Sequence, residues 1–150
     1  MNEVVYNVLK IIEDNGYKAY VVGGYVRDYI WSIESFDVDI CTNASSDIVI
    51  KLFEEYKPKT FKYDSVKFKI DKYHFDISRI RCEKYIKGKT IITYTNNLYD
   101  DYNRRDFTFN ALYMNRRGDI ITFGDSYRDC KNKKIVFIDS SFILARGQSS

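Results

Sequence analysis

Two aspartates separated by one residue are the most suggestive chemical feature of this sequence. Asp37 and Asp39 lie in a predicted strand, Phe36–Cys41, in which residues i and i+2 point to the same face. Before it, Gly23-Gly24 separates another predicted strand from a short predicted helix, where backbone amides can approach a phosphate. Close carboxylates beside such a turn indicate a divalent-metal site for phosphoryl or nucleotidyl transfer. The alternative, a glycine turn before an exposed strand edge, leaves like charges without a cation.

A third carboxylate, Asp76, lies on the predicted strand Tyr73–Ile80. This strand is the second of two antiparallel strands joined by a short turn, within the alternating segment Phe61–Ile80. If it lies beside Phe36–Cys41, Asp76 faces the same metal, either as general base on an attacking 3′-hydroxyl or as an additional ligand. Considered alone, Asp76 is an ordinary surface acid.

Arg104 and Arg105 form a basic cluster at the end of a predicted helix, Leu98–Arg105. Because two adjacent arginines cannot share one helix face, we expect one to face a ligand and the other to pair with Asp100 or Asp106. Arginine suits phosphate and ribose recognition because its planar fork donates in fixed directions. A purely structural, charged helix end is the alternative.

Composition limits the possible classes of protein. The chain has 150 residues, 45% of them hydrophobic and 30% charged, which predicts one globular domain with its own core. Its net charge of +3 is unevenly distributed, since residues 1–50 are acidic and residues 51–150 are basic. This pattern fits a metal site beside a surface for a polyanion, or lysines that merely solvate exposed strands.

The cysteines and the hydropathy pattern bear on location. Cys41, Cys82 and Cys130 are odd in number and show no C-x-x-C pairing, which predicts reduced thiols in a cytoplasmic protein without a zinc site. The sequence shows neither a signal peptide nor an apolar run long enough to span a membrane, so we expect no membrane partner.

The elements that must position these residues are predicted to form one α+β domain, a mixed sheet with helices packed mainly on one face. The hydrophobic periodicity and the turn residues delimit each element. The segment Thr90–Thr95 is predicted to be a polar loop or a short strand. The other predictions are helices over Asn2–Asn15, Tyr25–Trp31 and Ser45–Tyr56, strands over Lys18–Val22 and Phe36–Cys41, and a hairpin of Asn110–Met114 with Asp119–Phe123.

Four motifs in a fixed order carry a resemblance to a known family. From about Ala19 to Ile138, the chain is similar to the class II CCA-adding tRNA nucleotidyltransferase and bacterial poly(A) polymerase family. The resemblance implies a polymerase-beta-like nucleotidyltransferase head with a mixed sheet of about five strands. The motifs are Val22-Gly23-Gly24-Tyr25-Val26-Arg27-Asp28, Asp37-Val38-Asp39-Ile40, Asp76-Ile77-Ser78-Arg79-Ile80-Arg81 and Arg104-Arg105-Asp106-Phe107-Thr108-Phe109-Asn110-Ala111.

The resemblance also implies roles for matching residues. Asp37 and Asp39 would bind catalytic Mg²⁺, with Asp76 as the third catalytic carboxylate. The substrates implied are CTP and ATP, with the tRNA 3′ end as acceptor, to which the enzyme would add CMP and AMP. The residues implied to bind the nucleotide are Gly23, Gly24, Arg27, Arg105, Asp106 and Asn110.

The domain assignment and the function leave alternatives open. Residues 1–138 are expected to form the catalytic head and residues 139–150 a tail without the family's neck motif. The chain is then a truncated head, a stand-alone head, or one subunit whose neck, body and tail lie on a separate chain. Alternative functions are a regulatory module that only holds nucleotide, and a poly(A)-polymerase-like or other transferase with a different acceptor. No P-loop or dinucleotide-binding motif is present.

Overall fold

The computed structural model describes residues 1–105 and 112–123, together with the backbone of the strand at 143–146. Within these ranges the chain forms four α-helices and ten strands. The helices are α1 (Glu3–Asp14), α2 (Gly24–Ile30), α3 (Ser46–Leu52) and α4 (Leu98–Asn103). The strands are β1 (Ala19–Val22), β2 (Asp37–Thr42), β3 (Lys59–Phe61), β4 (Ser65–Ile70), β5 (Tyr73–Arg79), β6 (Arg81–Ile86), β7 (Lys89–Tyr94), β8 (Tyr113–Met114), β9 (Asp119–Ile121) and β10 (Ile143–Arg146).

Eight of the strands form one mixed sheet, in the order β10-β9-β8-β1-β2-β5-β4-β3. Of the strand pairs described, β2 and β5 run parallel and the others run antiparallel. The sequence predicts about five strands, and the sheet is larger because short strands extend both edges. For example, β3 has three exposed residues and therefore carries no alternating hydrophobic signal.

The segment 81–94 forms a separate hairpin, with β6 and β7 paired as a two-stranded sheet. The prediction of a polar loop or short strand at Thr90–Thr95 located only β7. The reason is that most side chains of both strands are exposed, so neither strand shows the burial pattern that would reveal it.

Three helices cover one face of the large sheet and α4 lies on the other, which confirms the predicted arrangement. The main core joins apolar residues of α1, α2 and α3 to Val38 and Ile40 of β2. On the opposite face, Leu98 and Tyr102 of α4 pack against a smaller cluster that includes Cys41. Because side chains alternate along a strand, the face of Cys41 is also the face of Asp37 and Asp39.

The helix predicted from Ser45 to Tyr56 ends earlier than expected. The α-helix stops at Leu52, and a 3₁₀ turn follows over Glu54–Tyr56. The helix breaks where Phe53 turns into the core, with its ring stacked on Phe68 at 4.8 Å. No side-chain hydrogen bond from Ser45 caps the start of α3.

Asp64, from the turn before β4, accepts two hydrogen bonds from the first residue of α3. Its carboxylate accepts from the amide of Ser46 at 3.1 Å and from the hydroxyl of the same residue at 2.5 Å. The carboxylate also pairs with Arg79 at 3.2 Å. Asp64 therefore ties the helix layer to β5. In the part of the chain that the structure describes, no helix is long and apolar enough to cross a lipid bilayer.

Candidate active site

The three predicted carboxylates project from the same face of the sheet, the face that carries α4. Asp37 and Asp39 alternate with buried Val38 along β2, and both side chains can be reached by solvent, although neighbouring groups partly desolvate Asp39. The parallel register of β2 and β5 places Asp39 opposite Asp76 and Asp37 opposite His74. Adjacent strands are about 4.8 Å apart, so Asp39 and Asp76 are direct neighbours. The third carboxylate thus comes from a strand distant in sequence.

The charges around this group are unbalanced. Partial burial, and then the negative charge of Asp76, raise the pKa of Asp39, while Arg105 opposes the rise. Burial also raises the pKa of Asp76, which Lys67 opposes from a distance of 3.8 Å. Like charges held close together make ionisation unfavourable until a cation neutralises them. The site is therefore electrostatically suited to bind a cation.

The available side chains are suited to a small hard cation that keeps some water or phosphate ligands, rather than to a metal ion enclosed entirely by protein ligands. Among the described residues, no three or more His, Cys, Asp or Glu side chains gather closely enough to hold a metal by themselves. Mg²⁺ is commonly bound by one or two carboxylates, with water and substrate phosphates completing its octahedron. Asp37 and Asp39 provide such a pair.

The Gly23-Gly24 turn lies beside the carboxylates because Val22, the residue before it, pairs with Asp39 across β1 and β2. Gly23 adopts φ 79° and ψ −135°, a conformation essentially restricted to glycine. Its amide donates to the carbonyl of Leu112 at 3.1 Å. The geometry of this turn thus depends on Gly23, and its amide is already engaged within the protein.

Gly24 and Arg27 lie close together at the start of α2. A Cβ added to Gly24 would meet a terminal nitrogen of Arg27 at 3.5 Å, an ordinary van der Waals contact. The guanidinium of Arg27 also pairs with Asp28 at 3.2 Å and lies 5.7 Å from the ring centre of Trp31. The arginine therefore folds back towards the glycine turn.

Arg104 and Arg105 both bind one carboxylate, that of Asp101, which is fully buried. Each arginine has a nitrogen 2.9 Å from an Asp101 oxygen. The expected division, with one arginine facing a ligand and the other paired to Asp100 or Asp106, is therefore wrong for Asp100, because both arginines pair with Asp101. Asp106 lies outside the described residues, as does Asn110. The partner is Asp101 because residues i+3 and i+4 both return to residue i over one helical turn.

Tyr113 of β8 completes this buried group by donating its hydroxyl to Asp101 at 2.6 Å. Burial and the Asp101 charge raise the pKa of Tyr113, so the phenol stays protonated as a donor. Although burial opposes ionisation, Arg105, Arg104 and Tyr113 together lower the pKa of Asp101. Asp101 thereby fixes the orientation of both arginines next to Asp39.

Sequence reasoning missed three residues that shape the site: Asp101, Tyr113 and Lys67. The spacing of Asp101 before the two arginines was a usable signal, whereas the contact of Tyr113 is long-range. Lys67 lies opposite Asp76 in the β4–β5 hairpin. Counting outward from the turn at Asp71-Lys72 would have paired these two residues.

Two cavities meet at the carboxylates, and both are lined by Asp39 and Asp76. We call the smaller one, of about 230 Å³, the arginine cavity because Arg81, Arg104 and Arg105 line it. We call the larger one, of about 530 Å³, the lysine cavity. Its basic and aromatic lining includes Lys57, Lys59, Lys67, Lys69, Phe61 and His74.

A mixed sheet with paired carboxylates beside a glycine turn defines a nucleotidyltransferase-type head. The chain belongs to the Poly A polymerase head domain family, whose model matches residues 19–136. This result confirms the resemblance found in the four motifs.

Individual relatives agree with this assignment. Over 131 residues the chain is 31% identical to a CCA-adding enzyme of Staphylococcus aureus strain MRSA252, covering 85% of this chain and 33% of that protein. A solved structure of the Bacillus stearothermophilus CCA-adding enzyme with CTP is 28% identical, with a TM-score of 0.70, covering 87% of this chain and 32% of the other.

A tRNA nucleotidyltransferase solved with a primer tRNA and an incoming ATP analogue is also 28% identical, with a TM-score of 0.65. That match covers 84% of this chain and 37% of the other. The chain thus spans about a third of the length of the relatives that it matches. The fold is that of the nucleotidyltransferase head, as the sequence predicted.

Proposed function

We propose that this chain carries the catalytic head of a metal-dependent nucleotidyltransferase that adds CMP or AMP, from CTP or ATP, to the 3′-hydroxyl of tRNA. The observation that carries the proposal is the register of β2 and β5, which puts Asp37, Asp39 and Asp76 on one face of the sheet, beside the glycine turn. Residues 1–138 would form the head and residues 139–150 the tail. The unpaired thiols of Cys41 and Cys82 are consistent with a cytoplasmic enzyme.

Mg²⁺ is the cation that we propose for the site, held by Asp37 and Asp39. When bound, it would polarise the α-phosphate and neutralise charge on the leaving pyrophosphate. Asp76 is the candidate base for the attacking hydroxyl, because its raised pKa makes it a better proton acceptor than an ordinary aspartate. Its neighbour Lys67 would orient the carboxylate and limit that rise.

The nucleotide is proposed to contact the glycine turn together with Arg27 and Arg105. Gly24 would allow close approach of the triphosphate, and Arg27, folded towards that turn, would donate to it. Arg105 would add a guanidinium whose direction Asp101 sets in advance, so that little side-chain entropy is lost on binding. The family resemblance assigns Asp106 and Asn110 to the same nucleotide wall.

A transfer assay tests the proposal directly. The purified chain is incubated with Mg²⁺, labelled CTP or ATP, and tRNA lacking its 3′ end. We expect incorporation into the RNA and release of pyrophosphate, both abolished by a chelator. Comparing CTP with ATP separates CCA addition from poly(A)-type transfer. Nucleotide binding without any incorporation would instead favour the regulatory module.

Calorimetry with a non-hydrolysable nucleotide tests the binding residues. Arg27→Ala and Arg105→Ala should each weaken binding by about 1–3 kcal/mol, the usual loss for a charge-assisted hydrogen bond. Arg117→Ala is a matched control, because this arginine is largely exposed and pairs with Asp119 in the β8–β9 hairpin. Unchanged affinity in Arg105→Ala would assign that arginine a purely structural role.

A further inference from the structure

A row of charged side chains crosses four strands of the sheet in register. Asp39 of β2 lies opposite Asp76 of β5, Asp76 lies opposite Lys67 of β4, and Lys67 lies opposite Lys59 of β3. Residues paired across neighbouring strands project to the same face. The row therefore runs from two negative charges at the carboxylates to two positive charges at the sheet edge.

The lysine cavity lies over the positive half of this row and also reaches Lys57, Lys69 and His74. Phe61 at its rim is 49% exposed, although a phenylalanine is normally buried. The ammonium group of Lys67 lies 4.6 Å from the centre of the Phe61 ring. The cavity thus combines several cations with an accessible aromatic ring.

The position of this cavity relative to the nucleotide suggests its ligand. The glycine turn follows β1 on one side of β2, whereas Lys59 and Lys69 lie in β3 and β4 on the other side, beyond β5. In phosphoryl transfer the attacking and leaving oxygens lie roughly in line, on opposite sides of the reacting phosphorus. A pyrophosphate held at the glycine turn leaves the lysine side for the attacking group.

We propose that the lysine cavity binds the 3′-terminal nucleotides of a single-stranded RNA acceptor, with Lys59 and Lys69 on its phosphates and a base stacked on Phe61. This inference rests on the proposed function for the direction of attack. Its physical basis is the combination that single-stranded nucleic acids require, a positively charged groove with an exposed aromatic platform. Asp76, shared by both cavities, would then face the terminal hydroxyl.

Salt-dependent binding of a short, fluorescently labelled single-stranded RNA tests the phosphate contacts, measured by anisotropy without metal or nucleotide. The double variant Lys59→Gln/Lys69→Gln should reduce the slope of log affinity against log salt by about 1.4, since each phosphate contact on a single strand contributes about 0.7. The matched control is Lys18→Gln/Lys51→Gln, which removes two exposed lysines outside the cavity and should leave the slope unchanged.

The aromatic contact has its own variants. Phe61→Ala should weaken RNA binding at least about 5-fold, because stacking of one base on an aromatic ring is worth that much or more. Phe61→Tyr keeps the ring and should retain the affinity. Equal affinities for Phe61→Ala and wild type would overturn the stacking contact and with it the proposed surface.

Failure of this inference and failure of the proposed function give different results. RNA binding that responds to the lysine and Phe61 variants, in a chain that transfers no nucleotide, would support the surface and contradict the transferase. Loss of nucleotide affinity in Lys59→Gln/Lys69→Gln, with RNA affinity unchanged, would mean that the lysines hold the triphosphate and would overturn the inference. Absence of measurable RNA binding by the wild-type chain at low salt would overturn it as well.

Discussion

Asp39 and Asp76 occupy directly opposed positions in the parallel pair β2–β5, and each has a raised pKa because of partial burial. Within the part of the chain that the structure describes, no arginine forms an ion pair with either carboxylate as Arg104 and Arg105 do with Asp101. The folded protein therefore tolerates two neighbouring carboxylates whose ionisation is unfavourable. Carboxylates with raised pKa values of this kind are typical of functional sites.

Removing either member of the aspartate pair should abolish transfer without unfolding the protein. We expect Asp37→Asn and Asp39→Asn to reduce kcat/KM at least about 100-fold, since even residues that only support metal ligands cost 10- to 100-fold. Asp47→Asn, an exposed acid in the first turn of α3, is the matched control. Near wild-type turnover in either site variant would refute the metal assignment.

The same substitution at Asp39 should stabilise the metal-free protein at neutral pH. The folded-state pKa of Asp39 is raised, so its ionisation destabilises the fold increasingly as pH rises above the unfolded value of about 3.9. Urea unfolding in chelator should give Asp39→Asn the larger free energy of unfolding at pH 7, with the difference vanishing in acid. Added Mg²⁺ should stabilise wild type and not the variant. The reverse order at pH 7 would contradict the charge argument.

Asp101 should be far more important for stability than its neighbour Asp100. Asp101→Asn leaves Arg104 and Arg105 without their buried anion, and breaking such a pair costs about 3–5 kcal/mol. Asp100→Asn should change the free energy of unfolding by less than about 1 kcal/mol, as expected for a helix-terminus charge. Chemical denaturation measures both values. A similar small effect for the two variants would show that the buried cluster contributes little.

The pH dependence of stability provides a second measure of the Asp101 cluster. Because the folded-state pKa of Asp101 is lowered, its stabilisation is complete above the unfolded value of about 3.9 and is lost as pH falls through the folded value. Wild type should therefore lose its advantage over Asp101→Asn in acid, whereas Asp39→Asn loses its own advantage over wild type there. A difference in unfolding free energy between wild type and Asp101→Asn that does not change with pH would show that ionisation of Asp101 is not its cause.

The two glycines of the turn should respond differently to alanine. Gly23→Ala places a side chain at φ 79°, a conformation that costs about 1–3 kcal/mol in folding stability. Gly24→Ala meets only an ordinary contact with Arg27, so it should fold normally and weaken nucleotide binding by crowding the phosphate. Thermal unfolding and calorimetry measure the two effects. Normal nucleotide affinity in Gly24→Ala would remove the turn from the phosphate site.

Local patterns were sufficient to predict much of this fold and part of the site. Helix α1, with Asn2 at its start and Asn15 at its end, follows directly from its hydrophobic period and its caps. The β4–β5 hairpin follows from alternation around a short turn. The shared face of Asp37 and Asp39 needed only the period of a strand.

The remaining features depend on contacts that no local pattern encodes. The pairing of β2 with β5 is parallel and non-local. The sequence therefore predicted Asp76 beside Asp39 only on the condition that these two strands are neighbours. The choice of Asp101 over Asp100 depends on which face of α4 packs against Tyr113 and Cys41. The edge strand β3 has no buried residue and is defined by backbone pairing alone.

The parallel pairing of β2 with β5 also determines when the proposed metal site can form during folding. The chain between them includes α3, β3 and β4, so the two strands meet only after a long loop has closed, at a substantial entropic cost. Partly folded chains that lack this contact hold Asp76 away from Asp39. Magnesium that binds only the completed site would stabilise the native state but not the folding transition state. It would therefore slow unfolding far more than it accelerates folding.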